Sequence, residues 1–255
     1  MADPVIDILM YHSISEGDHP TQISPSDFAT QIAAIAETGT PVIGLDDLLD
    51  AMDGKAELAD RSVIITFDDA FQDFADVAWP ILSKHGFSAM VYVPTGRVGK
   101  DASWPGASMP PVPIMDWDTI KALSKDGAQF GSHTVTHPNL DLLSDDELVV
   151  ELTQSRQTLE DQLGQTIRHF APPYGAAGKD VQRRIGEIYD TSAGTNLNSA
   201  SVNASRLDLP RVEMYYYRVE TFWRRHLTGR GASYFKLRKG MRQSRYLVTR
   251  AFSRG

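Results

Sequence analysis

The sequence predicts an α/β fold built on a parallel sheet or barrel, and three observations predict it. Through residues 1–217, short apolar runs rich in β-branched residues alternate with stretches of helical spacing, the order that βα units produce. The 255 residues are 42% hydrophobic and 23% charged, a globular balance long enough to bury a full core without staples. No internal repeat or low-complexity tract interrupts the pattern.

In chain order, strands are expected at Val5 to Met10, Val63 to Phe67, Ala89 to Val93, Gln129 to Gly131 and Ile167 to Ala171. Between the first two, Ser26 is expected to cap a helix that buries Phe28, Ile32 and Ile35 on one face. Leu142 to Leu163 is the longest helical stretch of this part. It opens at Ser144 with Asp145, Asp146 and Glu147 in its first turn, where the helix dipole favours acids. Gly96 to Pro113, rich in Gly, Pro and Ser, reads as a long surface loop.

The formal net charge of -8 conceals two unlike parts. Residues 218–255 hold 11 of the 25 Lys and Arg and one of the 33 acids, Glu220, a local charge of +10, whereas residues 1–217 carry 14 basic and 32 acidic groups, or -18. The asymmetry divides the chain near Arg218 into a barrel-forming part, 1–217, and a basic extension, 218–255. There is no cysteine, so a bound metal must be held by His, Asp or Glu. The opening Met-Ala-Asp-Pro lacks the basic and apolar regions of a leader, and no run approaches the ~20 apolar residues of a membrane span. A cytoplasmic protein without a transmembrane anchor is expected.

Three segments can carry chemistry. Ile64-Ile65-Thr66-Phe67-Asp68-Asp69-Ala70 sets two adjacent carboxylates at the end of an apolar strand, where a parallel barrel builds its active site. One can ligate a metal while the other faces a water; alternatively both cap a helix over Phe71 to Leu82. Gly131-Ser132-His133-Thr134-Val135-Thr136-His137-Pro138 follows another strand. Its β-branched residues and proline favour a loop over a helix, and a loop can converge both imidazoles on one ion. Two His and one Asp are a common ligand set for a catalytic divalent metal, although an isolated HxxxH is more often structural. Phe170-Ala171-Pro172-Pro173-Tyr174-Gly175 is rigid enough to present an amide N–H to an oxyanion, and equally reads as a plain turn.

Together and in this order, these segments resemble the polysaccharide deacetylase family, the NodB-homology or carbohydrate esterase 4 domain. Thr66 to Ala70 match the usual Thr-Phe-Asp-Asp-Gly except for the final alanine, and His133 to His137 match His-Ser/Thr-x-x-His in full. Phe170 to Gly175 match the third motif with Ala171 in place of its arginine. The resemblance implies a distorted (β/α)7-type barrel and one divalent metal, Zn²⁺ by default, on Asp69, His133 and His137. It further implies Asp68 as the base that activates water, the Tyr174 backbone N–H as an oxyanion donor, and substrate contacts at Pro173, Tyr174 and Arg211.

The family's late Leu-x-His is absent, since Leu207 to Met214 contain no histidine. His12, ending the hydrophobic strand in Ile8-Leu9-Met10-Tyr11-His12, resembles the Tyr-His opening of the branch that deacetylates poly-N-acetylglucosamine biofilm polymers. First and last strands of a closed barrel are neighbours, so His12 is the candidate general acid; the alternative is a capping or core histidine. Arg211 in Leu-Pro-Arg-Val is a candidate substitute for the missing motif arginine, or an ordinary surface ion-pair residue.

In the extension, Tyr234, Leu237, Met241, Val248 and Phe252 fall at steps of three, four, seven and four, with basic residues between them. This is a basic amphipathic helix suited to an anionic membrane surface, with Phe222, Trp223, Arg224 and Arg225 as the start of the same platform. Packing on the barrel or on a second subunit is the alternative, and nucleic acid is disfavoured by the enzyme-like remainder. The sequence therefore predicts a metal-dependent N-deacetylase of N-acetylhexosamine units in a bacterial exopolysaccharide or adhesin. Its substrate would be a lipid-linked intermediate on the inner face of the inner membrane, with a holdfast adhesin as the narrowest expectation. A same-fold hydrolase of another amide or cyclic imide, and a catalytically silent glycan-binding barrel, are the competing readings. Retention of Asp68 beside three ligand candidates argues against the silent barrel.

Overall fold

The computed structural model describes residues 3–103 and 112–252, with side chains described as far as Arg242. Seven strands occur among these residues: β1 (Val5–Tyr11), β2 (Arg61–Phe67), β3 (Met90–Val93), β4 (Gln129–Ser132), β5 (His169–Phe170), β6 (Thr191–Leu197) and β7 (Leu209–Glu213). They close into a barrel in sequence order. Every neighbouring pair is parallel, and β1 closes on β7 through Leu9 opposite Val212 and Met10 opposite Glu213. The expected α/β class and seven-stranded barrel are both present.

Strand alternation sorts the core into two layers. Ile6, Ile8, Ile64, Met90, Tyr92, Ala171, Ala193 and Leu209 form one buried cluster, the inward face, which Leu45 and Leu48 of helix α2 (Leu45–Met52) also join. The alternate residues Leu9, Tyr11, Val63, Ile65, Phe67, Val91 and Val93 pack outward against the helices in the larger cluster.

Helix α1 (Pro25–Thr38) buries Phe28, Ile32 and Ile35 as expected, but its cap is Ser24 rather than Ser26. Pro25 occupies the first helical position, where its missing N–H costs nothing, and Ser24 Oγ accepts from Asp27 N at 3.1 Å. Helices α3 (Trp79–Lys84) and α4 (Trp117–Lys125) follow, then α5 (Asp145–Leu163), which opens on the Ser144–Glu147 capping box. Thr95–Arg97 is a short 3₁₀ turn, and residues 104–111 of the expected loop lie outside the described residues.

After α6 (Lys179–Gly186), the basic extension forms α7 (Glu220–Leu227) and α8 (Ala232–Phe252). α7 packs on α1, with Trp223 fully buried and its Nε1 donating to Gln31 O at 3.0 Å. Trp223 thus belongs to the outer core. It is not part of an exposed platform as expected, because its indole is consumed by the barrel.

Candidate active site

The C-terminal strand ends converge the sequence candidates. Asp68 and Asp69 leave β2, His133 and His137 leave β4, and His12 leaves β1. Among the described residues, one ligand atom from each of Asp69, His133 and His137 lies within 4.8 Å of the others, all three residues buried. His133 Nε2 and His137 Nε2 stand 3.5 and 3.2 Å from Asp69 Oδ1. No carbonyl can donate, so the 2.6 Å contact of His133 Nδ1 with Ala171 O fixes the proton on Nδ1 and leaves Nε2 as the ligand atom. Asp69 Oδ1 is buried and receives no aligned hydrogen bond. Two imidazoles and a carboxylate with an unfilled acceptor fit a divalent cation.

Burial alone would raise the Asp69 pKa, but the His133 and His137 imidazoles more than offset it and hold the carboxylate ionised. For Asp68 burial likewise opposes ionisation and Arg211 overrides it. Arg211 NH1 and NH2 donate to the two Asp68 oxygens at 2.7 and 2.8 Å, a fork-to-fork pair. Arg211 Nε donates to Gly194 O at 2.8 Å, and its NH1 reaches Thr66 Oγ1 at 3.2 Å. The guanidinium is fully buried, which removes the surface ion-pair reading. Four of its five N–H donors are engaged by Asp68, Thr66 Oγ1 and Gly194 O, an arrangement in which Arg211 positions Asp68. Ala171, where the family motif has arginine, is itself buried in the inward cluster.

His12 Nε2 lies 3.7 Å from Asp68 Oδ2, with the imidazole side chain 17% exposed. Its Nδ1 is buried without a hydrogen-bond partner, which does not suit a capping or core-satisfying histidine. Tyr174 is half exposed, its ring 4.8 Å from that of His137, whereas Pro173 beside it is buried and shapes the turn. The helix-cap reading of the aspartates fails as well. The helical segment after them begins at Gln72 and passes through a π-turn over Phe74–Ala78 into α3, and its leading N–H groups go to Pro113 O and Phe71 O rather than to either aspartate.

Backbone strain is confined to this site. Among the described residues the non-glycine residues with positive φ are Asp69, Ala70, Thr134, His137 and Tyr174, at 54° to 73°, and all lie in the three motifs. Such conformations persist only where surrounding contacts impose them, and they concentrate at functional sites. Gly175, also at positive φ, is needed because a Cβ there would meet Thr195 Oγ1 at 2.2 Å. The histidine loop is held by Glu151 on α5, whose carboxylate accepts from Val135 N at 2.7 Å, Thr136 N at 3.0 Å and Thr136 Oγ1 at 2.6 Å. Neither Glu151 nor the Gly194 carbonyl carried a signal in the sequence, because each acts through a contact that only the folded chain creates.

The family model described as polysaccharide deacetylase matches residues 55–188, more than half the chain. The chain belongs to the polysaccharide deacetylase family. It is thereby a hydrolase of carbon–nitrogen bonds. It is 28% identical over 154 residues to the chitooligosaccharide deacetylase of Azorhizobium caulinodans, covering 60% of this chain and 64% of that one. It is 25% identical over 204 residues to the poly-β-1,6-N-acetyl-D-glucosamine N-deacetylase of Staphylococcus aureus, covering 74% and 67% respectively. The chain thus spans about two thirds of the length of these two curated relatives. Among solved structures, the Streptococcus pyogenes deacetylase PplD, determined with acetate, superposes with a TM-score of 0.73 at 27% identity, covering 83% of this chain and 92% of that one. IcaB from Ammonifex degensii shares the fold at a TM-score of 0.72 and 21% identity, covering 88% and 98%.

Proposed function

We propose that this deacetylase removes acetyl groups from N-acetylhexosamine units of an exopolysaccharide, using one divalent ion on Asp69, His133 and His137. Zn²⁺ is the ion of choice, since it favours imidazole with carboxylate. The observation that carries the reading is Asp68: a buried carboxylate kept ionised by a buried arginine, beside an Asp-His-His cluster. The similarity to the staphylococcal N-deacetylase supports a glycan of N-acetylglucosamine type. No relative named above supports a holdfast substrate.

Bound there, a divalent ion supplies Lewis acidity toward the acetyl carbonyl and makes a water more acidic. The residues of the chain do the rest. Asp68, fixed by Arg211, takes the proton of the attacking water. His12, on the other side of Asp68, gives a proton to the departing amine. The Tyr174 N–H donates to the developing oxyanion, and its half-exposed ring offers a face for a sugar.

Acetate release from β-1,4- and β-1,6-linked N-acetylglucosamine oligomers tests this. Asp68→Asn is expected to lose roughly 10²- to 10⁴-fold in rate while elemental analysis still finds the metal. Loss of the metal instead would exchange the roles of the two aspartates. Hydrolysis of small cyclic imides with no acetate release from any glycan would overturn the reading.

A further inference from the structure

The extension leaves the barrel at its catalytic end. β7 finishes at Glu213, the chain turns through Met214–Tyr217, and α8 later returns beside that turn. Tyr234 OH donates to Tyr216 O, and the Arg238 guanidinium lies 4.4 Å over the Tyr216 ring. α8 therefore starts beside His226, over the Asp7 end of β1, and lies along the turn that follows the catalytic end of β7.

One side of this helix is covered and one is not. Tyr234 stacks on Phe222 with ring centroids 4.4 Å apart, and Phe235 meets His226 at 5.1 Å. Leu237 and Met241, one helical turn apart, are 59% and 54% exposed, and Lys236 beside them is exposed too. The sequence continues the apolar spacing with Val248 and Phe252. From Thr221 to Gly255 there are 10 Lys and Arg and no acid. At the base of α8, Arg224, Arg225, Thr228 and Arg230 line a shallow cleft of about 520 Å³. No described helix is long and apolar enough to cross a membrane.

We propose that α8 forms a docking surface for an anionic lipid bilayer that reaches the catalytic end of the barrel, so that the docked enzyme brings its active site toward the headgroups. Few apolar side chains flanked by many cations are the profile of a helix that lies in an interface. A stable protein interface buries about 800 Å² per partner around an apolar centre, which this exposed pair does not supply. Charge attracts the surface to anionic lipid, and Leu237 and Met241 enter the acyl boundary. Such a surface suits a deacetylase whose glycan is carried on lipid, although the docking itself does not depend on the substrate.

Vesicle flotation with the full chain tests the docking. Binding is expected to phosphatidylglycerol-containing vesicles at low salt and not to phosphatidylcholine alone, weakening as salt rises. Leu237→Glu with Met241→Glu should cut partitioning about tenfold or more, with soluble-oligomer deacetylation unchanged. Because the chain has no cysteine, Leu142→Cys at the catalytic rim and Glu57→Cys before β2 each take a single polarity-sensitive dye. The rim label is expected to shift blue on anionic vesicles and the other not. Absence of binding, equal binding by the double variant, or a shift only at residue 57 would overturn the proposal. So would a dimer, without vesicle binding, that the double variant dissolves. Vesicle binding by an enzyme inactive on glycans would leave the docking standing and remove the substrate reading instead.

Discussion

Asp68 and Asp7 are both buried, and each meets one arginine and one histidine, yet they are built to opposite ends. Asp7, in the lower half of β1, receives Arg61 and Ser199 on its two oxygens and faces His226 Nε2 at 3.0 Å. His226 is engaged in turn by Tyr217 OH at 2.9 Å, and α7 lies over the group. No residue of this cluster has positive φ. At Asp68 the arginine grips both carboxylate oxygens, but His12 stands off at 3.7 Å with a buried unpartnered nitrogen, and left-handed residues begin at the next position. Short contacts on regular backbone, with His226 Nε2 at 3.0 Å from its carboxylate though not aligned as a hydrogen bond, mark a fastener that ties the extension to the barrel. Open valence on strained backbone marks a place kept ready for a ligand.

The two histidines break or sharpen this contrast first. His12→Ala is expected to lower the deacetylation rate roughly 10²- to 10⁴-fold while the melting temperature stays near that of the parent, since this imidazole holds nothing together. His226→Ala should do the reverse, costing about 2–4 kcal/mol of stability through a cavity and lost bonds to a buried carboxylate, with kcat retained. Thermal melts and initial rates on one oligosaccharide decide both. If His226→Ala loses rate without losing stability, the lower cluster is not a mere fastener.

The contrast also explains what the sequence could show. Asp68, Asp69, His133 and His137 were legible because each sits beside an apolar strand whose pattern announces the barrel end. β6 and β7 were not, because Thr-Ser-Ala-Gly-Thr-Asn-Leu and Leu-Pro-Arg-Val-Glu lack an apolar run. The barrel accepts them all the same, Pro210 within β7 and an irregular register between the pair. With β7 unread, Arg211 stands in the sequence only as a candidate for the missing motif arginine beside a surface ion-pair reading, and the fold pairs it with a carboxylate 143 residues away. The pairing of Asp7 with His226 is hidden for the same reason: a polar residue in an apolar strand and a histidine in a basic helix acquire meaning only when packing joins them. The strain at Ala70, where the family motif has glycine, has a sequence trace, but its left-handed φ of 54° is a property of the folded chain.

A stability effect of similar size isolates the fastener's charge. Asp7→Asn removes the anion and leaves Arg61 and His226 without it, and breaking a buried pair costs about 3–5 kcal/mol. Arg61 is 23% exposed, so water compensates in part and the low end of that range applies. Activity on soluble oligosaccharide should remain, because Asp7 takes no part in the chemistry. A denaturation midpoint equal to the parent's would show that the Asp7 cluster contributes no net stability.

The smallest effect is a pH dependence with a definite sign. Burial would raise the Asp7 pKa, but His226, Arg61 and Ser199 together depress it below the ordinary carboxylate value. An acid depressed in the fold stabilises the protein fully above its unfolded pKa, about 3.9, and loses that contribution as pH falls through the lower folded value. Asp7→Asn carries no such group. The stability gap between parent and variant should therefore narrow as pH falls below about 4. Asp68 shares the depressed pKa, but it remains in both proteins and cancels from the difference. Urea midpoints of both proteins at steps of half a pH unit measure that gap directly. A gap that widens toward low pH would mean that Asp7 is protonated in the native state, and that Arg61 rather than the carboxylate is the charge the fold depends on at this end of the barrel.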